Sequence, residues 1–295
     1  MNPEWLHTQQ FPFKSRFVEI DCHLIHYVDE GSGSTLLLLH GNSTWSFLYR
    51  EIIKGLRDDF RCVAVDYPGF RLSQAASGYG FTPQEHSLII EQLVQKLDLR
   101  KITLFCHDWG CPIGLGLAGR QPERFRGFVI GNTFAWSVNG NLKLEAFSRL
   151  LGGAMGGFLI RNFNAFVNLI LPLGMQHPPH RTVMQHSHRT VMQHYRRPFS
   201  TRASREVNRI FAWEILGSRP FLEQVHQGVS QLAHKPTLIL WGARNPAFTR
   251  QQCLRFEQLF PNSQTVILPN AGHFIAEDAP AQIVEQFRFW WQVKG

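Results

Sequence analysis

The sequence predicts an α/β fold: a mostly parallel, doubly wound central sheet flanked by helices and interrupted by one inserted helical segment. Three observations carry this prediction. Short unbroken apolar runs, which suit strands buried on both faces, recur along the chain. Patterns of helical period lie between them, and such alternation implies parallel strands joined by helical crossovers. One interval, from residue 135 to about 216, breaks the rhythm with helical periodicity, several Gly and Pro, and no convincing strand.

Residues 17–28 alternate apolar and polar around a central Asp21-Cys22, which predicts a hairpin. The first fully apolar run is 36–39, followed by a helical pattern over 45–56. Runs at 62–65 and 102–105 precede helical patterns at 83–97 and 111–120, and a run at 128–130 precedes the interruption. The rhythm then resumes with runs at 237–240 and 265–268, each followed by a helical pattern, at 250–260 and 279–291. The expected division is a main domain of 1–134 and 217–295 and a helical cap of 135–216. Phe147, Leu150, Phe158, Phe163, Phe166 and Ile170 exceed what a small isolated bundle needs, so part of that face is expected to cover the main domain and enclose a dry pocket. Within the cap, HRTVMQHS at 180–187 is followed at once by HRTVMQHY at 188–195. Eight residues at about 100° each rotate a helix to roughly 80° from its starting phase, so the second copy cannot present the first copy's face. A looped-out or lengthened segment is expected, and duplication accounts for its histidines without a metal.

A chain of 295 residues with 44% hydrophobic and 18% charged content buries a large core. The start, MNPEWLHTQQFPFKSRF, lacks a positive region leading into an apolar one, so no signal peptide and a cytoplasmic protein are expected. The longest uncharged stretch, 162–180, holds three Asn and three Pro, which makes a poor membrane span. Cys22, Cys62, Cys106, Cys111 and Cys253 lack paired metal-binding spacing and read as free thiols. Residues 135–235 hold 12 Lys+Arg against 4 Asp+Glu, while the remainder is balanced at 18 against 18. Those arginines are scattered among Phe, Leu and Ile, which suits solvated helix faces and predicts neither a nucleic-acid nor a membrane partner.

The chemistry concentrates where the run at 102–105 ends. Cys106-His107-Asp108-Trp109-Gly110 fits the nucleophile-elbow pattern, small-x-nucleophile-x-Gly, in which a sharp strand-to-helix turn lifts one side chain above the sheet. As a lone match Asp108 would serve equally well as a helix N-cap. LLLLHGNSTW at 36–45 places a loop with Asn42 after an earlier strand, and LPNAGHFIAEDAP at 268–280 supplies His273 after the last one. Nucleophile before histidine is the order this architecture requires.

HGNSTWSFLYR (40–50), DYPGF (66–70), HDWG (107–110), LWGARNPAF (240–248) and NAGHFIAEDAP (270–280) resemble the haloalkane dehalogenases of the α/β-hydrolase fold, over nearly the whole chain. NTFAW at 132–136 is similar to the branch with an Asn/Trp halide pair and a triad acid after the seventh strand. The resemblance implies hydrolytic dehalogenation through an alkyl ester on Asp108. An ionised carboxylate attacks an sp³ carbon without prior deprotonation. The side chains of Asn42 and Trp109 would hold the halide, their backbone N–H groups would form the oxyanion hole, and His273 would activate water. The only expected partners are a small apolar halogenated substrate and halide ion. No metal and no cofactor are implied.

The pattern breaks at the third triad member. The matching position is Asn245, and the alternative site after the sixth strand falls on Asn132, so both carry amides. An amide orients imidazole but cannot stabilise imidazolium with a full charge, so slow turnover is expected. Ser43, where the family usually has Pro, and Arg71, where it usually has Gly, are further departures. Epoxide hydrolysis is the nearest alternative, but that family uses two cap tyrosines and this cap has only Tyr195. A ligand-binding protein without turnover is the other.

Overall fold

The computed structural model describes residues 5–70, 72–176 and 185–294, without the side chains of 185–189. Its centre is an eight-stranded sheet: β1 (Arg16–Ile20), β2 (His23–Glu30), β3 (Ser34–Leu39), β4 (Phe60–Val65), β5 (Ile102–His107), β6 (Phe125–Gly131), β7 (Thr237–Gly242) and β8 (Ser263–Leu268). They lie in the order β1-β2-β4-β3-β5-β6-β7-β8. Only β1 and β2 run antiparallel to their neighbours. Every apolar run of the sequence is a strand, and Asp21-Cys22 forms the hairpin turn with positive φ at both residues, 46° and 62°. β6 extends three residues before its apolar run because Arg126 and Gly127 interrupt the hydrophobicity but not the pairing.

Helices α1 (Arg50–Leu56), α2 (Pro83–Lys96) and α3 (Gly110–Arg120) connect the first strands. α2 starts at a capping box, Thr82 and Glu85 each accepting the other's backbone N–H. Between β6 and β7 run α4 (Leu142–Gly152), α5 (Ala154–Phe163), α6 (Leu171–Gly174), α7 (Gln185–Arg196), α8 (Glu206–Gly217) and α9 (Arg219–Val229). The chain closes with α10 (Arg250–Leu259), α11 (Ile275–Asp278) and α12 (Pro280–Lys294).

The helices α4 to α8 make one helical segment after β6, with no strand among its described residues. α7 and α8 fasten it over the loops that follow β3, β5 and β8. Trp45 Nε1 donates to the carbonyl of His194, whose ring stacks on Phe47. The Tyr195 hydroxyl donates to Glu277, which also holds the buried guanidinium of Arg50. The second duplicated copy, 188–195, thus lies inside one helix whose buried end supplies these contacts, while 180–184 of the first copy fall outside the described residues.

The apolar face expected to cover the main domain divides differently. Phe166 is buried with Ile160 and Ala212, and Phe147 and Ile170 pack against that small cluster. Leu150, Phe158 and Phe163, by contrast, are more than half exposed on the outer side. Helical period shows that these residues share a stripe, not which stripe the fold covers. Among the described residues no single helix is long and apolar enough to cross a membrane, and the five cysteines are free.

Candidate active site

The turn from β5 into α3 holds Asp108 at φ +51°, in the left-handed region that non-glycine residues avoid. Thr133 Oγ1 donates to the Asp108 carbonyl at 2.6 Å and the Asp108 N–H donates to the Asn132 carbonyl at 3.3 Å, so the end of β6 fixes the turn. Glycines make room for it. A Cβ at Gly110 would stand 2.0 Å from the Leu39 carbonyl, and one at Gly41 would strike the Asp108 carboxylate at 2.2 Å. These contacts explain the small residues of the elbow and of the β3 loop.

The two carboxylate oxygens of Asp108 have different surroundings. Oδ1 accepts the Asn42 N–H at 2.7 Å, and the Trp109 backbone N–H also favours the charged carboxylate. Oδ2 faces His273 Nε2 at 3.7 Å. The two side chains keep 14% and 12% exposure amid fully buried neighbours, so a small space reaches both of them although protein surrounds the pair. Burial raises the Asp108 pKa above the ordinary carboxylate value, opposed by His107 and the two N–H groups. Burial pushes His273 down to about 4, which leaves the imidazole neutral and able to act as a base at neutral pH.

Asn42 is oriented by the residue that departs from the family pattern. Ser43 donates its N–H to Asn42 Oδ1 at 2.8 Å and holds φ at +54°; proline has no N–H and cannot adopt that φ. With its oxygen so engaged, Asn42 turns Nδ2 toward α8 and donates to the Asn208 carbonyl at 3.2 Å. Trp109 Nε1 donates to the Phe211 carbonyl at 3.2 Å. The two donors therefore point at one stretch of one helix, to carbonyls one turn apart. Arg71, the other departure, lies outside the described residues.

The structure brings Asp108, His273, Asn42 and Trp109 together but does not place either amide on the histidine. Asn245 Oδ1 accepts the N–H groups of Ala247 at 2.9 Å and Phe248 at 3.2 Å, an Asx-type turn that takes its carbonyl away from His273. Asn132 Nδ2 donates to the backbone carbonyls of Gly272 and His273, at 2.7 and 2.8 Å, and so supports the loop rather than the ring. His273 Nδ1 and Asn245 Nδ2 are both buried without a hydrogen-bond partner. Packing orients the imidazole instead, between His107, Phe274 and Phe248 at centroid distances of 4.7, 4.7 and 5.7 Å.

Sequence reasoning missed Asn208 and Phe211, which meet the two donors through backbone carbonyls that any residue carries. It also expected a dry pocket. A cavity of about 470 Å³ exists between α10 and the segment entering the insert, but Ser137, Asn139, Asn141, Gln251, Gln252 and Arg255 make its lining largely polar. It is separated from the site by Phe134, whose ring packs on Trp109. Tyr195, the insert's one tyrosine, has its hydroxyl committed to Glu277.

The family described as alpha/beta hydrolase fold matches residues 34–280. The chain is 41% identical over 285 residues to haloalkane dehalogenase 2 of Mycobacterium tuberculosis, covering 95% of this chain and 96% of that protein. It is 30% identical over 286 residues to a cis-3-alkyl-4-alkyloxetan-2-one decarboxylase of Shewanella oneidensis, covering 94% and 88%. Among solved structures, haloalkane dehalogenase DatA from Agrobacterium tumefaciens superposes with a TM-score of 0.85 at 23% identity, covering 98% of this chain and all of that one.

Proposed function

The chain belongs to the haloalkane dehalogenase family of the α/β-hydrolase fold, and on that premise we propose that it hydrolyses haloalkanes to alcohol and halide through a covalent ester on Asp108. The observation that carries this reading is the division of labour between the carboxylate oxygens. Oδ1 accepts the Asn42 N–H, the Trp109 N–H supports the same carboxylate, and Oδ2, facing His273, is left to attack carbon. Attack breaks the carbon–halogen bond and forms the ester carbon–oxygen bond, with Oδ1 becoming the ester carbonyl oxygen. Water activated by His273 Nε2 then adds to Cγ, and the same N–H groups stabilise the negative charge on Oδ1. Collapse of that intermediate releases the alcohol and restores the carboxylate.

Asn42 Nδ2 and Trp109 Nε1 supply the leaving halide with two donors, each worth roughly 1.5–3 kcal/mol toward a charged acceptor. Halide has to displace the carbonyls of Asn208 and Phe211, so α8 acts as the cap element that yields on binding. His273 works without an acid on Nδ1, which makes ester hydrolysis the slow step. Halide should therefore appear in a burst, with alkyl-enzyme accumulating. Intact-protein mass spectrometry after a bromoalkane pulse tests this, with Asp108→Ala as the control. Halide release that survives Asp108→Ala, or slow steady turnover without an adduct, contradicts it.

The Shewanella relative favours a second reading, opening of an oxetan-2-one with loss of carbon dioxide. Carbon dioxide release from a dialkyl oxetan-2-one, offered beside the bromoalkane, separates the two.

A further inference from the structure

Asn208 stands out among the buried polar side chains. It is fully buried, and among the described residues its side-chain amide is the only one with both the donor, Nδ2, and the acceptor, Oδ1, buried without a partner. It lies in the first turn of α8, on the buried face that also carries Val207, Phe211 and Ala212. Burying an amide with neither end hydrogen-bonded is costly, so the free protein retains it against its own stability.

Its position relates that cost to the site. The carbonyl of Asn208 accepts from Asn42 Nδ2 at 3.2 Å. One turn further along α8, Phe211 accepts from Trp109 Nε1 and packs its ring on Trp109 at 5.7 Å. Asn208 is therefore held, through its backbone carbonyl, beside the end of the site where halide departs. Neither a halide ion nor an alkyl chain complements it, because halide satisfies only the donor and a hydrocarbon satisfies neither end. A hydroxyl group both donates and accepts, and so fits both ends of the amide.

We propose that the side-chain amide of Asn208 binds a hydroxyl group of the substrate, so that the preferred substrates are haloalcohols with the hydroxyl on the carbon next to the carbon–halogen bond. The carbon–halogen step rests on the dehalogenase reading, whereas hydroxyl recognition does not need turnover. A remote hydroxyl at the far end of the chain would miss Asn208, which separates vicinal from terminal haloalcohols.

Two measurements test the proposal separately from that reading. In the first, kcat/KM for halide release is compared for 1-bromohexan-2-ol, 6-bromohexan-1-ol and 1-bromohexane. The wild type should favour the vicinal bromoalcohol over 1-bromohexane roughly 10–100-fold, and Asn208→Leu should erase most of that ratio. Asn208→Ser, which keeps a donor and an acceptor, should restore part of it. In the second, calorimetry compares binding of hexane-1,2-diol and hexan-1-ol, with thermal melting confirming that the variants are folded. The diol should lose roughly tenfold or more in affinity on Asn208→Leu, and hexan-1-ol much less. Equal ratios and equal diol affinities in wild type and Asn208→Leu overturn the proposal. If no bromo compound releases halide while the diol result holds, the dehalogenase reading fails and hydroxyl recognition stands.

Discussion

Asp108 and His273 are 3.7 Å apart, yet the two sides of the site are finished differently. On the nucleophile side, Asp108 Oδ1, Asn42 Oδ1, Asn42 Nδ2 and Trp109 Nε1 all have hydrogen-bond partners. On the base side, His273 Nδ1, Asn245 Nδ2 and His107 Nδ1 are buried and have none. An unpartnered buried group costs about 1–3 kcal/mol. The contrast teaches that the two chemical steps need not decay together. In the proposed reaction, attack on carbon needs only the carboxylate and the halide donors, while hydrolysis of the ester needs a base poised to accept a proton.

The sharpest way to break this comparison is to remove the base. In His273→Phe, which keeps a ring in the packed slot, hydrolysis of the ester should fall about 10²–10⁴-fold. The halide burst should remain at one equivalent per enzyme. Quench-flow halide measurement with intact mass detects both, and loss of the burst would show that the nucleophile side also depends on the imidazole.

Acid should expose the base side next. Burial pushes His40 down to about 4, His107 to about 3 and His273 to about 4. Unfolded histidine titrates near 6.5. Between 6.5 and these values the unfolded chain takes up protons that the folded chain refuses, so stability falls as pH drops through that window. At pH 5 each such histidine costs about 2 kcal/mol, and three together approach about 6 kcal/mol, against total stabilities of about 5–15 kcal/mol. Asp108, raised above its ordinary value by burial, works in the opposite sense. Urea unfolding at pH 7.5 and pH 5.0 should therefore show a loss of several kcal/mol. His107→Gln should flatten the slope by about one proton.

How much of this was legible depended on which atoms act. The strands were readable because a parallel strand buried on both faces needs an unbroken apolar run, although the pairing reaches past the run in several of them, as at Ser34-Thr35, Arg126-Gly127 and Trp241-Gly242. The elbow was readable because small residues flank it, and the structure supplies the reason in the contacts of Gly41 and Gly110. The carbonyls of Asn208 and Phe211 were not readable, since no side chain announces them. Nor was the diversion of Asn245 into its turn, since the same residue type suits an Asx turn and an imidazole partner equally well. The outward faces of Phe158 and Phe163 were missed for a related reason, because covering surface is decided by tertiary packing.

A milder test tries to complete the base side. In Asn245→Asp one oxygen can keep the N–H groups of Ala247 and Phe248 while the other replaces the unpartnered Nδ2. Turnover should rise about tenfold, less than the roughly 10⁴-fold that a triad acid contributes elsewhere, because the turn still claims part of the carboxylate. The companion readout is the pH profile. A carboxylate near Nδ1 stabilises imidazolium, so the His273 pKa should climb from about 4 and the acid limb of turnover should move to higher pH. Faster turnover with an unmoved limb would mean that the new carboxylate acts on the loop and not on the ring.

The smallest expected effect lies on the finished side. Ser43→Pro removes the N–H that holds Asn42 Oδ1 and forbids the φ of +54° observed there. The loop must then adopt another conformation, and Asn42 Nδ2 loses the restraint that aims it at α8. Losing one fixed donor while Trp109 Nε1 remains should weaken halide binding roughly 3–10-fold, about 1 kcal/mol. Bromide titration of tryptophan fluorescence reads this directly, because Trp109 is itself a donor. If the proline variant binds bromide as tightly as wild type, the Ser43 contact is incidental, and the order on the nucleophile side comes from the elbow alone.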